Sequence, residues 1–439
     1  MNLMENSKSF SRWKWKILIA WNIFYMFYYL GRVHYGLTLP WMREDLKLTI
    51  VEASFIASGG FWAYALGNLL FGRLGDKLGY RKLLLSASIL TALMNWISSF
   101  AYSFKSLLIP FIINGFIQAM GYAPGEAMVA QWWRRKEWGT TVGFTGLSSS
   151  LSVLFVWIIT GWFVVNYGWR AAWRYPLLTT LATGIMLYFI VKDKPSDAGF
   201  QSYNDFNENN QIVKGKNPYI YLLSNWKFIL ICFIGILLFI GRYGLITWIP
   251  LYYAENGIAL SIIPLTTVAL PIGQALGAVS AGFISDKIFK SNYYKTICIY
   301  AVASCLTLIG LVLTPIKLNL TFSIVLLALG GFFTFGAAVP AFVLALNVGG
   351  REMAGTAVGV FDFFCYIGGA LQSLIIGFIL YATNYNWIET FIILAILIAS
   401  SAILIFAAKS FHLIKQLSLA FIGILKLINN FQLKCSSIT

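Results

Sequence analysis

Twelve apolar runs, most of them about 20 residues long, constrain this chain more than any other feature. Twenty residues at about 1.5 Å each reach across the roughly 30 Å hydrocarbon core of a bilayer as a helix. The runs lie at roughly 16–40, 52–74, 82–102, 107–130, 141–165 and 173–192, then 226–251, 262–284, 296–315, 320–347, 355–382 and 387–408. A water-soluble helical protein would interrupt such runs with polar residues every third or fourth position. It would also carry about 25% charged residues, whereas these 439 residues are 11% charged and 59% hydrophobic. The expectation is an all-α membrane protein with twelve transmembrane helices in two six-helix bundles. The N-terminal half covers 1–192, a central loop 193–222, the C-terminal half 223–409 and a tail 410–439.

The chain has 32 Lys and Arg against 16 Asp and Glu, a formal net charge of +16. In a soluble protein that excess would suggest nucleic acid. Here it sits in alternate short loops: Lys8 to Lys16, Arg73 to Lys82, Arg134/Arg135/Lys136, Lys192 to Lys216, Lys287/Lys290/Lys295, Arg351 and Lys409/Lys415. The other side is sparse. The positive-inside rule therefore puts both termini and the central loop in the cytoplasm of a multi-pass cell-membrane protein. The first run is too long for a cleaved signal sequence. In the tail, Leu417 to Leu425 is too short to span, and a surface helix and a frayed extension are equally good readings. The five cysteines, Cys232, Cys298, Cys305, Cys365 and Cys435, show neither metal-ligand spacing nor a disulfide framework. No metal or cofactor is expected.

The halves repeat one another. Gly72-Arg-Leu-Gly-Asp76-Lys77 follows the second run, and Gly282-Phe-Ile-Ser-Asp286-Lys287 follows the eighth, 210 residues later. Arg32 in run one and Arg242 in run seven keep the same offset, each with a proline eight residues on, Pro40 and Pro250. Two pairs at one offset indicate duplication, with parallel halves related by an axis along the membrane normal.

An arginine at mid-membrane costs about 2.5–3.5 kcal/mol on insertion scales. Arg32 and Arg242 are such residues and are symmetry mates, so together they form a candidate anion site. Guanidinium stays charged and its planar fork fits phosphate oxygens. The alternative is that each pairs with an intramembrane acid or snorkels to the interface. Two acids stand out within the apolar runs, away from the run starts. Asp362 lies deep in run eleven, one helical turn before Tyr366, and is a candidate coupling group. Glu126, near the end of run four, either faces the cavity or pairs with Arg134 or Arg135. His34, two residues past Arg32, points roughly 200° away on a helix, which favours a packing or interfacial role over a binding one.

The run Gly72-Arg-Leu-Gly-Asp76-Lys77-Leu-Gly79-Tyr-Arg81-Lys82 resembles the loop motif of the major facilitator superfamily. By that resemblance it staples helix ends on the cytoplasmic side, a gating latch echoed by Asp286 and Lys287. Further segments resemble the organophosphate:phosphate antiporter family. These are Tyr25 to Arg32 with Pro40, Gly241 to Tyr252, Gly115 to Tyr122 with Trp132-Trp133, and Ala354 to Gly369. The resemblance implies that Arg32 and Arg242 bind the substrate phosphate, and that Tyr25, Tyr29 and Tyr366 line the cavity with Gln118 and Tyr122 of the fourth helix. It also exposes departures. Asn68 stands where the best-known member has a lysine, Ser148 where it has a histidine proposed to assist binding, and Phe335 where it has a tyrosine. The arginine pair is kept, secondary cationic groups are lost, and two acids are added, which points to a nearly neutral site and makes a monoanion or proton coupling attractive.

The implied function is secondary active transport of an organic anion, foremost a phosphate ester exchanged for inorganic phosphate by alternating access. A proton-coupled carboxylate symporter and a transport-dead ligand sensor stand as alternatives. No metal cluster, nucleophile elbow or phosphate-binding glycine loop marks an enzyme. The expected partners are a small anionic substrate, inorganic phosphate or a proton as coupling species, and membrane lipid. The expected state is a monomer that binds no nucleic acid.

Overall fold

In hydrocarbon an unpaired backbone N–H or C=O costs several kcal/mol, so a spanning segment must close its hydrogen bonds within itself. The computed structural model obeys this: every regular element it describes is helical. It describes residues 3–134, 137–200, 217–314, 316 and 319–407, without the side chains of 3–8, 72–73, 76–77, 138–140, 142–143, 350–352, 354–355 and 406–407. The tail 410–439, most of the central loop, Arg135, Lys136 and Cys435 therefore lie outside the described residues, as do the side chains of Gly72, Asp76 and Lys77.

The N-terminal half contains α1 (Leu3–Tyr28), α2 (His34–Leu46), α3 (Ile50–Leu78), α4 (Tyr80–Ser99), α5 (Phe104–Ala130), α6 (Trp138–Arg174) and α7 (Leu177–Ile190). A short α8 (Pro218–Ser224) closes the stretch read as central loop. The C-terminal half contains α9 (Trp226–Glu255), α10 (Ile263–Thr267), α11 (Ala269–Phe283), α12 (Tyr293–Leu313), α13 (Leu320–Ala382) and α14 (Trp387–Ala407). Among the described residues the helices trace twelve passes, eight of them long and apolar enough by length and composition alone to cross a membrane, and they are divided differently from the apolar runs. The first is two helices, α1 and α2, joined by a 3-10 turn, Tyr29–Gly31. α6 carries the fifth crossing and the entry to the sixth, bent at Gly168, whose φ of 79° suits a residue without a Cβ. α13 carries two crossings, Leu320–Gly349 and Thr356–Ala382, with helical hydrogen bonding continuing between them.

The halves meet through α3 on α13, α2 on α9 and α6 on α11. On the face opposite the basic loops the halves touch directly. There Gly36 lies so near α9 that a Cβ would stand 2.5 Å from the Ile246 carbonyl oxygen. Arg43 Nη1 lies 2.5 Å from Glu255 Oε1 across the halves, and Arg43 Nη2 donates to Tyr385 Oη at 3.1 Å. Trp387 Nε1 donates to the other Glu255 oxygen at 2.8 Å, and Trp157 Nε1 to Thr267 Oγ1 at 3.1 Å. Arg170 on this face is ion-paired with Asp45.

At the basic face the motif turn is a single residue, Gly79, with φ 87° between α3 and α4. The Arg81 backbone N–H donates to Asp193 Oδ1 at 2.8 Å and its Nη1 to the Val191 carbonyl at 3.2 Å, tying this turn to the end of α7. The repeat copy differs: Asp286 and Lys287 sit in a π-helical turn, Ile284–Ile288, where Tyr293 Oη donates to Asp286 Oδ1 at 3.2 Å and Lys287 is exposed. The start of α1 docks here as well. Phe10 and Trp13 stack on Trp132, and Lys14 Nζ lies 2.7 Å from Glu137 Oε1.

Candidate functional site

The break in the first crossing places Arg32. The helix stops at Tyr29–Gly31, and Arg32 takes φ −134°, ψ −49°. Carbonyls freed by such a break must find donors inside the bundle. Asn114 Nδ2 donates to the Gly31 oxygen at 2.6 Å and Asn95 Nδ2 to the same oxygen at 3.3 Å; Gln118 Nε2 donates to the Tyr28 oxygen at 3.3 Å. Gly31 is needed for this close packing, since a Cβ there would stand 2.3 Å from Thr91 Cγ2.

The Arg32 guanidinium carbon lies 4.1 Å from the Tyr64 ring, 4.8 Å from Tyr29 and, across the halves, 5.2 Å from Tyr366. Arg242 comes from the unbroken α9. It lies 3.8 Å from the Phe335 ring, 5.3 Å from Tyr243 and 5.4 Å from Phe239. The rings join the two pockets: Tyr243 Oη donates to Tyr366 Oη at 3.1 Å, and the Tyr64 and Tyr366 rings are 4.2 Å apart. Tyr29 and Tyr243 each feel the charge of both arginines. A cavity of about 30 Å³, room for about one water, adjoins Arg32 between Phe61, Asn114 and Tyr243.

Aromatic faces stabilise a desolvated guanidinium by about 2 kcal/mol but leave its N–H donors unused. Arg32 is 8% exposed and Arg242 4%, yet Nε and Nη1 of the first and Nε and Nη2 of the second have no hydrogen-bond partner. Neither joins an ion pair among the described residues, and neither snorkels. A buried donor left unmade costs more than a typical bond returns, so these donors are suited to an incoming anion.

Asp362 is also buried, at 7% exposure, and accepts from Asn68 Nδ2 at 3.2 Å. Both guanidiniums act on it electrostatically. Tyr25 packs its ring 5.2 Å from Tyr29 and 5.5 Å from half-buried Tyr122. Tyr29 Oη is 3.0 Å from Ser149 Oγ.

Two residues expected at the site turn elsewhere. Gln118 spends its amide on the helix break, also donating to Thr91 Oγ1 at 3.2 Å. Ser148 Oγ donates to the Asn22 carbonyl at 3.0 Å, so its neighbour Ser149 is the one that meets a cavity tyrosine. Glu126 accepts from Trp21 Nε1 at 3.3 Å. His34 is fully buried, its ring 4.2 Å from Trp173. Tyr64, Phe239, Tyr243 and Ser149 are site residues the sequence reading did not single out. Tyr64 had a signal: it lies one turn before Asn68, on the same helix face. Tyr243 had one too, as the neighbour of Arg242.

Two six-helix halves with buried cationic side chains between them define a membrane transporter. The chain belongs to the Major Facilitator Superfamily, whose model matches residues 22–373, a family of transporters and not of enzymes. It is 24% identical over 414 residues to the glycerol-3-phosphate transporter of Bacillus subtilis, covering 89% of this chain and 92% of the relative. It is 23% identical over 412 residues to the membrane sensor protein UhpC of Escherichia coli, covering 90% and 91%. These relatives agree with the organophosphate:phosphate antiporter resemblance. Among solved structures, a bacterial homologue of the human lysosomal transporter Spinster, inward-facing and occupied, superposes with a TM-score of 0.71 at 15% identity. That match covers 91% of this chain and 98% of the other, and it concerns the fold alone.

Proposed function

We propose that the protein carries a phosphate ester across the cell membrane in exchange for inorganic phosphate, with Arg32 and Arg242 as the phosphoryl clamp. The observation that carries this reading is the set of buried guanidinium donors without partners, one set in each half, linked through the Tyr243 and Tyr366 rings. A phosphoryl group offers three acceptor oxygens and up to two negative charges, enough to engage both forks at once. Tyr25, Tyr29, Tyr64, Tyr122, Tyr243 and Tyr366 supply rings and hydroxyls for the organic part. Because no ATP motif is present, the work comes from the substrate and phosphate gradients.

In this reading the halves 1–192 and 223–409 rock about the arginine pair. Both termini and the loop 193–222 face the cytoplasm, the Arg43–Glu255 contact closes the outer face, and the Gly79–Arg81 turn acts as a latch at the inner face. The carrier works as a monomer.

The test is counterflow in proteoliposomes. Phosphate trapped inside should accelerate uptake of a labelled phosphate ester, because an exchanger needs a countersubstrate to return its site. Uptake indifferent to internal phosphate but driven by a pH gradient would make the protein a symporter. The similarity to a sensor protein favours one second reading: a receptor would bind phosphate esters and show no counterflow.

A further inference from the structure

We propose that Asp362 obliges one proton to enter the site with each phosphoryl dianion, so that the carrier couples substrate binding to protonation. The inference rests on the phosphate reading above and deepens it.

The argument is one of charge placement. Two buried guanidiniums and one buried carboxylate share the interface between the halves, so the empty site carries one net positive charge. Charged, titratable and polar groups from several elements act on Asp362. Arg32 comes from the first crossing, Tyr64 and Asn68 from α3, Tyr122 from α5 and Arg242 from α9, while Cys365 and Tyr366 lie on its own helix. None of these besides the arginines supplies a positive charge. Glu126 is held by Trp21 and acts on Tyr122, whereas the charges that act on Asp362 itself are those of the two arginines.

A dianion entering this site would meet the Asp362 carboxylate as a second anion in a poorly solvated space. Like charges there cannot both persist, and one of them takes a proton. With that proton, shared between the carboxyl and a phosphoryl oxygen, the charges sum to zero: two guanidiniums against one dianion. No bond other than O–H is made, and the proton comes from the solvent of the compartment the site faces. Asn68 fits this role. Its Nδ2 holds one carboxyl oxygen in either protonation state, and its Oδ1 is buried and without a partner. A lysine at that position would donate a permanent charge and remove the need for a proton. During exchange of ester for phosphate both legs carry the proton, so the flux stays electroneutral.

The experiment is isothermal titration of inorganic phosphate into the full-length protein at about pH 8, where phosphate is mainly dianionic, in two buffers of different protonation enthalpy. The wild type should take up one proton per phosphate bound, Asp362→Asn none, and Asp362→Glu one. Between pH 8 and pH 9 phosphate affinity should fall about tenfold for the wild type and stay flat for Asp362→Asn. Binding by the wild type without proton uptake overturns the proposal even if the Asn variant fails to fold. So does an Asn variant that keeps the proton, which would mark Asp362 as a structural partner of Asn68. If the wild type shows no phosphate binding heat, the phosphate reading itself falls and takes this inference with it. The proton count is read only where binding is seen, so the two failures are distinct.

Discussion

Replacing Arg32 or Arg242 by lysine keeps the charge and removes the fork. Each guanidinium holds at least two buried donors without partners, Nε and Nη1 in Arg32, Nε and Nη2 in Arg242. Bound phosphate would accept from both. A lysine ammonium can restore one of the two bonds from a single point but not the parallel pair. Its contact with the Tyr64 or Phe335 ring survives in part, since any cation benefits from the ring face. The net loss is therefore about one charge-assisted hydrogen bond, about 1.5–3 kcal/mol, or roughly 10- to 150-fold in affinity for each variant. The assay is phosphate binding to purified protein followed by phosphate-for-phosphate exchange in proteoliposomes, with thermal unfolding as the control for folding. Both variants should unfold near the wild-type temperature, bind phosphate at least tenfold more weakly and exchange it slowly. If both folded Lys variants bind within about twofold of the wild type, the clamp is not at these residues, and the unpartnered donors need another occupant.

Three further outcomes follow from the contacts. Glu255→Gln removes the charge of the Arg43 pair, which is only 18% and 23% exposed; a loss of about 1–2 kcal/mol shifts the open fraction of that face about 5- to 30-fold, read as longer distances between spin labels at Lys47 and Asn386. Unchanged distances would show that the pair does not hold the face shut. Asn114→Leu strips the 2.6 Å donor from the Gly31 carbonyl and should cost about 1–2 kcal/mol, seen as a lower unfolding temperature; no change would mean that Asn95 alone satisfies the break. On the basic face, burial acts upward on the Glu137 carboxyl, but the hydrogen bonds from Lys14 and from the Arg134 backbone, with their charges, outweigh it and hold it below the ordinary value of 4.5. The clasp is then present at neutral pH and lost as pH falls through that lowered value, so hydrogen-exchange protection of the Arg134 amide, which donates to Glu137 Oε2, should vanish in acid, and already at pH 7 in Glu137→Gln.

The sequence by itself determined the medium, the number of crossings, the duplication and the identity of the two cationic residues. Each of these is a local fact. A run of apolar residues closes its own hydrogen bonds wherever it sits, and an arginine inside such a run is costly whatever surrounds it. The tertiary structure decided how equivalent residues are used. Gly31-Arg32 and Gly241-Arg242 are the same dipeptide at one repeat offset, yet only the first sits at a helix break. The reason lies in other helices. Asn95, Asn114 and Gln118 bring amides to the freed carbonyls, while the positions 210 residues later, Cys305, Ile324 and Ala328, have none to bring. Helix rotation likewise turned Gln118 and Ser148 toward backbone carbonyls and Ser149 toward Tyr29. The rings around Arg32 include Tyr366 from the opposite half. Such choices depend on which face meets which neighbour hundreds of residues away, information that local periodicity does not hold.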